Sequence, residues 1–146
     1  MYREGVDSAR SGEDVMPNMR ILIVDDEGPI REVLRDFFEG EGFEVSEAVD
    51  GAGALELARK EPFDVVLTDL KMPGLDGIQV LKEIRHILPD TAVLILTGYP
   101  SNESTIAALE LGCDGYLNKP INLSLLKYMT FRGLIFRKWE QKTNRC

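Results

Sequence analysis

Five short apolar runs, at residues 21–24, 43–48, 63–67, 92–96 and 115–117, alternate along the chain with five stretches whose apolar residues recur at helical spacing. Runs this short and this rich in Val, Ile and Leu suit strands buried on both faces, as in a parallel sheet. Parallel neighbours cannot be joined by a tight turn and need a crossover, normally a helix. The alternation therefore predicts an α/β fold: a single doubly wound sheet of five parallel strands, with five helices covering both faces.

The runs end on residues that can do chemistry. The first closes on Asp25-Asp26-Glu27, the third on Asp69, the fourth on Thr97-Gly98 and the fifth on Asn118-Lys119-Pro120. Met72-Pro73-Gly74 stops the third strand, because proline cannot donate to the ladder and glycine accepts backbone angles other residues avoid. In a parallel sheet all these ends lie along one edge, the edge at which open α/β sheets bind ligands. That edge would gather Asp25, Asp26, Asp69, Thr97 and Lys119. Clustered carboxylates raise one another's pKa, whereas a divalent cation holds them ionised. Hard oxygen ligands suit Mg2+, which takes one or two protein carboxylates, keeps several waters and accepts phosphate oxygens. The edge thus points to phosphate chemistry.

The helical stretches carry their own punctuation. Pro29 opens the first, where a missing N–H costs least. Ile30, Val33, Leu34, Phe37 and Phe38 are expected to form its core face, and Gly40 and Gly42 to end it. Asp50 and Asp76 are placed to cap the next two, and Ser101 begins the fourth. Leu55 and Ala58 are expected to be buried on the second, Ile78, Leu81, Ile84 and Leu88 to supply the apolar face of the third, and Ile106, Ala107, Leu109 and Leu111 to be available for packing on the fourth. Gly112 stops that helix, and a last one begins near Asn122 with Leu123, Leu126 and Met129. His86, alone late in a helix, carries no functional reading.

The 146 residues are enough for one domain with a sizeable core. Residues 1–19 mix charges with Gly, Ser and Pro and read as a disordered leader, residues 20–135 as the domain, and residues 136–146 as a basic tail or helix extension. Leu134, Ile135, Phe136 and Trp139 are more apolar than a free tail requires, so the last helix is expected to pack partly on the body or to act as a linker or docking surface. No apolar run approaches the ~20 residues of a membrane span, and no signal-peptide core is present, so the expected address is the cytoplasm. Cys113 and Cys146 are too far apart for a metal knuckle or a redox pair and read as reduced thiols. A formal charge of −8 argues against general nucleic-acid binding. It is unevenly spread, since residues 127–146 hold six Lys or Arg against one Glu.

In order and at roughly the same spacing, VDDE after the first strand, TDLKMPGLDG at the third, LTG after the fourth and YLNKP after the fifth resemble the receiver domain of bacterial two-component response regulators. The resemblance covers residues 20 to about 135. It implies a flavodoxin-like strand order, 2-1-3-4-5. Asp69 would be the phosphoacceptor, attacking a phosphohistidine on a sensor histidine kinase or phosphotransfer protein. Asp26 and Asp69 would bind Mg2+ through their side chains, Lys71 through its carbonyl, and Asp25 through water. Lys119 would hold a phosphoryl oxygen and Thr97 another, while Tyr116 would turn inward as Thr97 moves. The fourth helix, fifth strand and fifth helix would then form the face for a downstream target, an output domain or a homodimer. Lys71 and Tyr99 stand at positions that tune dephosphorylation in the family. Ile121 replaces a frequent phenylalanine and Cys113 a frequent alanine.

Two other functions compete with a phosphorylation switch that catalyses only its own phosphorylation and dephosphorylation. An aspartyl-nucleophile phosphohydrolase generally needs a second acid two residues after the nucleophile. Lys71 follows Asp69, and although Glu27 follows Asp25, the other hydrolase motifs are missing. A constitutive interaction module is disfavoured because the acidic, threonine and lysine set is complete. Neither GxGxxG nor a P-loop follows the first strand, which removes support for nucleotide binding. No DNA-binding or ATPase module is recognisable after the domain, so the chain reads as a stand-alone receiver or as a fragment of a longer regulator.

Overall fold

The computed structural model describes residues 19–144, with side chains to residue 138. Residues 1–18 of the expected leader, the Trp139 side chain and Cys146 lie outside the described residues. The strands are β1 (Arg20–Val24), β2 (Glu44–Ala48), β3 (Val65–Asp69), β4 (Ala92–Thr97) and β5 (Gly115–Asn118). The helices are α1 (Gly28–Gly40), α2 (Gly51–Lys60), α3 (Gly77–Ile87), α4 (Asn102–Glu110) and α5 (Leu123–Asn144). All pairings are parallel, in the order β2-β1-β3-β4-β5, as expected.

Strand side chains alternate between faces, so each strand feeds two cores. On one face Leu22, Val24, Val66, Val93 and Ile95 meet Ala54, Leu55 and Ala58 of α2, Val80, Leu81 and Ile84 of α3, and Ala108 of α4. On the other, Ile21, Ile23, Val65, Leu67, Leu94 and Leu96 meet Leu34 and Phe38 of α1 and Leu126 and Leu134 of α5. Burying a side chain such as Phe38 contributes about 1.5–3 kcal/mol. These faces hold the strand ends in register. Asp50 caps α2 by accepting the Gly53 N–H, and Asp76 forms a capping box with Gln79 on α3.

Several expectations are corrected. Met19, assigned to the leader, is buried and its carbonyl accepts the Glu44 N–H at 2.9 Å. Val33 is exposed, because the buried stripe of α1 runs through Leu34 and Phe38 and a neighbouring helix residue points about 100° away. On α4 only Ala108 is buried, whereas Ile106 and Leu109 are exposed. This helix is short and sits beside α3 near the sheet edge, so among the described residues nothing covers its outer side. α5 continues past residue 135 as one helix, one of the two forms expected of that segment. Leu134 is buried but Ile135 and Phe136 are exposed. Arg137 ties this part of α5 to the body, its Nε donating to Asp114 Oδ1 at 2.9 Å.

Candidate functional site

Asp25 follows β1, Asp69 and Thr97 end β3 and β4, and Lys119 follows β5, so the parallel sheet delivers all four to one edge. Carboxylate oxygens of Asp25, Asp26 and Asp69 lie within 4.8 Å of one another. Asp25 and Asp69 are buried and Asp26 is exposed. Lys119 Nζ bridges the two buried carboxylates, donating to Asp25 Oδ2 at 2.9 Å and standing 3.3 Å from Asp69 Oδ2. Asp25 is held at every polar atom: its N–H donates to Ala48 O, its Oδ1 accepts the Glu27 N–H at 2.8 Å, and its carbonyl accepts from Arg31 at 2.6 Å.

Burial and the neighbouring charge of Asp25 push the Asp69 carboxyl above its usual range, and the Lys119 ammonium offsets only part of this. Burial pulls Lys119 down, but its hydrogen bond to Asp25 and the charges of both carboxylates outweigh that and raise it, so it is cationic at neutral pH. Three carboxylates facing one ammonium leave two formal negative charges at the site. An all-oxygen set with that deficit fits a divalent hard cation.

Of the remaining expected residues, Thr97 and Tyr116 are engaged in other hydrogen bonds. Thr97 is buried, and its Oγ1 accepts the Tyr99 N–H at 2.9 Å. Tyr116 pairs with Ile95 in register, which puts it on the same sheet face as Thr97. It is half-buried and its hydroxyl is 2.8 Å from Ser104 Oγ at the start of α4. Lys71 is exposed and lines a cleft of about 270 Å³ with Asp76, Tyr99 and Ser104.

Sequence reasoning missed Arg31, Ser104 and Gly77. Gly77 begins α3, and its N–H donates to Leu70 O at 2.8 Å. A Cβ there would stand 2.5 Å from the Asp69 carbonyl oxygen and 2.9 Å from Leu70 Cα. Both are backbone atoms, so the strand end carrying Asp69 would have to move. Gly77→Ala is expected to destabilise the protein by about 1–3 kcal/mol, read as a lower urea midpoint at unchanged m-value. An unchanged midpoint would show that the loop yields freely.

A family profile described as "Response regulator receiver domain" matches residues 21–130. Sporulation initiation phosphotransferase F of Bacillus subtilis is 38% identical over 112 residues, covering 77% of this chain and 90% of that protein. Regulatory protein AtoC of Escherichia coli is 42% identical over 115 residues, or 79% of this chain, and the match spans only 25% of AtoC. Among solved structures, a CheY-like receiver domain protein from Methanospirillum hungatei superposes with a TM-score of 0.81 at 32% identity, covering 84% of this chain and 98% of that one. A Burkholderia pseudomallei response regulator, solved with a phosphorylated aspartic acid, calcium ion and citrate, superposes with a TM-score of 0.75 at 26% identity, covering 88% of this chain and 76% of that one. With five parallel strands in the order 2-1-3-4-5 and an acidic edge closed by a lysine, the chain belongs to the response regulator receiver domains, the phosphorylation-dependent elements of two-component signalling.

Proposed function

We propose that Asp69 accepts a phosphoryl group from the phosphohistidine of a sensor histidine kinase or phosphotransfer protein, within a unit spanning residues 20–135. The observation that carries this reading is the Lys119 ammonium held between the Asp25 and Asp69 carboxylates, beside the exposed Asp26. An Asp69 oxygen attacks phosphorus, the P–N bond breaks, and an acyl phosphate forms. Lys119 is placed to follow the developing charge onto a phosphoryl oxygen. Asp26, Asp69 and the Lys71 carbonyl would hold Mg2+, with Asp25 acting through water. Bound Mg2+ would supply charge neutralisation on the opposite side of the phosphoryl group.

Thr97 would exchange the Tyr99 N–H for a phosphoryl oxygen, and Tyr116 would leave Ser104 as it turns inward, a shift between two arrangements of one surface. Exposed Ile106 and Leu109 on α4 support α4, β5 and α5 as the face for a target, output domain or second copy. An apolar cleft of about 370 Å³, lined by Ile30, Val33, Ile121 and Leu123, shares Lys119 with the acceptor site and suits the phosphodonor protein. The reading carries a cytoplasmic address, and among the described residues no helix is long and apolar enough to cross a membrane. It also makes the chain a catalyst only of its own phosphorylation and dephosphorylation.

Incubated with a small phosphodonor and Mg2+, the protein is expected to gain one phosphoryl group by intact mass, and to gain none when the metal is removed with a chelator. Turnover of many phosphoesters per chain would favour the hydrolase instead.

A further inference from the structure

Outside the carboxylate–lysine cluster, one side chain grips the acidic loop from behind. Arg31 on α1 donates from a terminal guanidinium nitrogen to the Asp25 carbonyl at 2.6 Å, and from Nε to Glu47 Oε1 at 3.1 Å. We propose that Arg31 is a positioning residue that aims Asp26 into the metal site, with Glu47 holding Arg31 in place; this rests on the reading of that site as an Mg2+-dependent phosphoacceptor.

The Asp25 carbonyl belongs to the peptide unit that leads into Asp26. That unit is planar, so fixing its oxygen fixes the plane from which Asp26 departs. Asp25 has other anchors, in Ala48 O, the Glu27 N–H and Lys119. Asp26 is exposed, and the grip of Arg31 on the preceding carbonyl is what directs it. Glu47 lies on β2 opposite Ile23 of β1, so the anchor is built on the sheet. Its other oxygen takes Arg35 at 3.2 Å.

The arrangement also answers an electrostatic objection. A bare guanidinium this close would oppose a divalent cation, whereas the Glu47 carboxylate offsets its charge and leaves its direction. As an ordinary ion pair, with side chains 18% and 29% exposed, it would add little to stability. The backbone carbonyl bond is what sets it apart.

The test is calorimetric Mg2+ titration of the metal-free protein, together with phosphorylation rates from a small phosphodonor as a function of Mg2+. Arg31→Ala is expected to raise both the Mg2+ dissociation constant and the half-saturating Mg2+ about tenfold, the scale on which groups orienting metal ligands act. The maximal rate at saturating Mg2+ should be retained. Arg35→Ala, which touches Glu47 but not the loop, should leave both unchanged. If Arg31→Ala does not fold, Arg31→Lys carries the test, since one ammonium lacks the fork that holds carbonyl and carboxylate together; it too should bind Mg2+ more weakly. Wild-type affinity in either folded variant overturns the proposal, as does a lowered maximal rate with unchanged Mg2+ dependence. Wild-type protein that takes up no phosphoryl group with Mg2+ would instead overturn the reading of the site itself.

Discussion

Asp69→Asn is expected to take up no phosphoryl group from any donor, and at neutral pH without metal to be more stable than the wild-type protein. The first part follows from chemistry, because an amide is not a nucleophile toward phosphorus under these conditions and the shape is otherwise kept. The second follows from the electrostatics. Burial and Asp25 raise the native pKa of Asp69 despite Lys119, so the native state binds this proton more tightly than the unfolded chain does. For a group raised in this way the stabilising contribution is present below the unfolded value, about pH 4, and is lost as pH rises through the raised native value. Ionised Asp69 is therefore a liability in metal-free protein at neutral pH, and the amide removes it. Urea denaturation in the absence of metal should show the variant ahead near neutrality, with the gap closing as pH falls toward 4. Added Mg2+ should stabilise the wild-type protein more than the variant. Labelling that persists in the variant would sink the assignment of the acceptor. A variant less stable than wild type at neutral pH would show that the Lys119 contact outweighs burial.

Most of this arrangement was legible because parallel strands buried on both faces leave a continuous apolar run, and four of the five runs here lead into a residue of the candidate site. The backbone direction then puts Asp25, Asp69, Thr97 and Lys119 on one edge without any knowledge of packing. Capping was equally local, since Asp50, Asp76 and Ser101 each satisfy an N–H three residues ahead. What could not be read depends on what stands opposite. Ile106 and Leu109 give the same helical signal whether the chain's own sheet covers them or a partner does, and here the sheet does not. Val33 failed for the related reason that periodicity marks an apolar face but not how wide its contact is. Arg31 looks in the sequence like any solvated helix charge, and only the fold brings Glu47 and the Asp25 carbonyl to it. Gly77 reads as a residue after a cap, although its lack of a side chain is what lets α3 start against the Asp69 carbonyl.

Lys119→Met should be the most damaging substitution at this edge short of removing the acceptor. Methionine keeps the length of the aliphatic stem, so the change isolates the ammonium. That group faces Asp25 Oδ2 at 2.9 Å and Asp69 Oδ2 at 3.3 Å, with the three side chains 15%, 2% and 9% exposed. Removing one partner of a buried pair leaves an uncompensated charge and costs about 3–5 kcal/mol. Because the native pKa of Lys119 is raised, its contribution is present below the ordinary lysine value, about 10.4, and lost only as pH rises through the higher native one. The full loss should therefore be visible at neutral pH. Two observations distinguish this from a general packing defect. Mg2+ should stabilise the variant more than the wild-type protein, since a cation can replace the missing charge. Asp25→Asn should cost less in the Lys119→Met background than alone, giving a coupling energy of about 0.5–3 kcal/mol in a double-mutant cycle. Phosphorylation by a small donor should slow by about 10²-fold, on the scale of losing one oxyanion donor, even at saturating Mg2+, because a metal held by Asp26, Asp69 and the Lys71 carbonyl would not supply the hydrogen bond that Lys119 would give a phosphoryl oxygen. A variant as stable as wild type, with no coupling to Asp25, would reduce Lys119 to a surface charge and remove the observation on which the phosphoacceptor site is built.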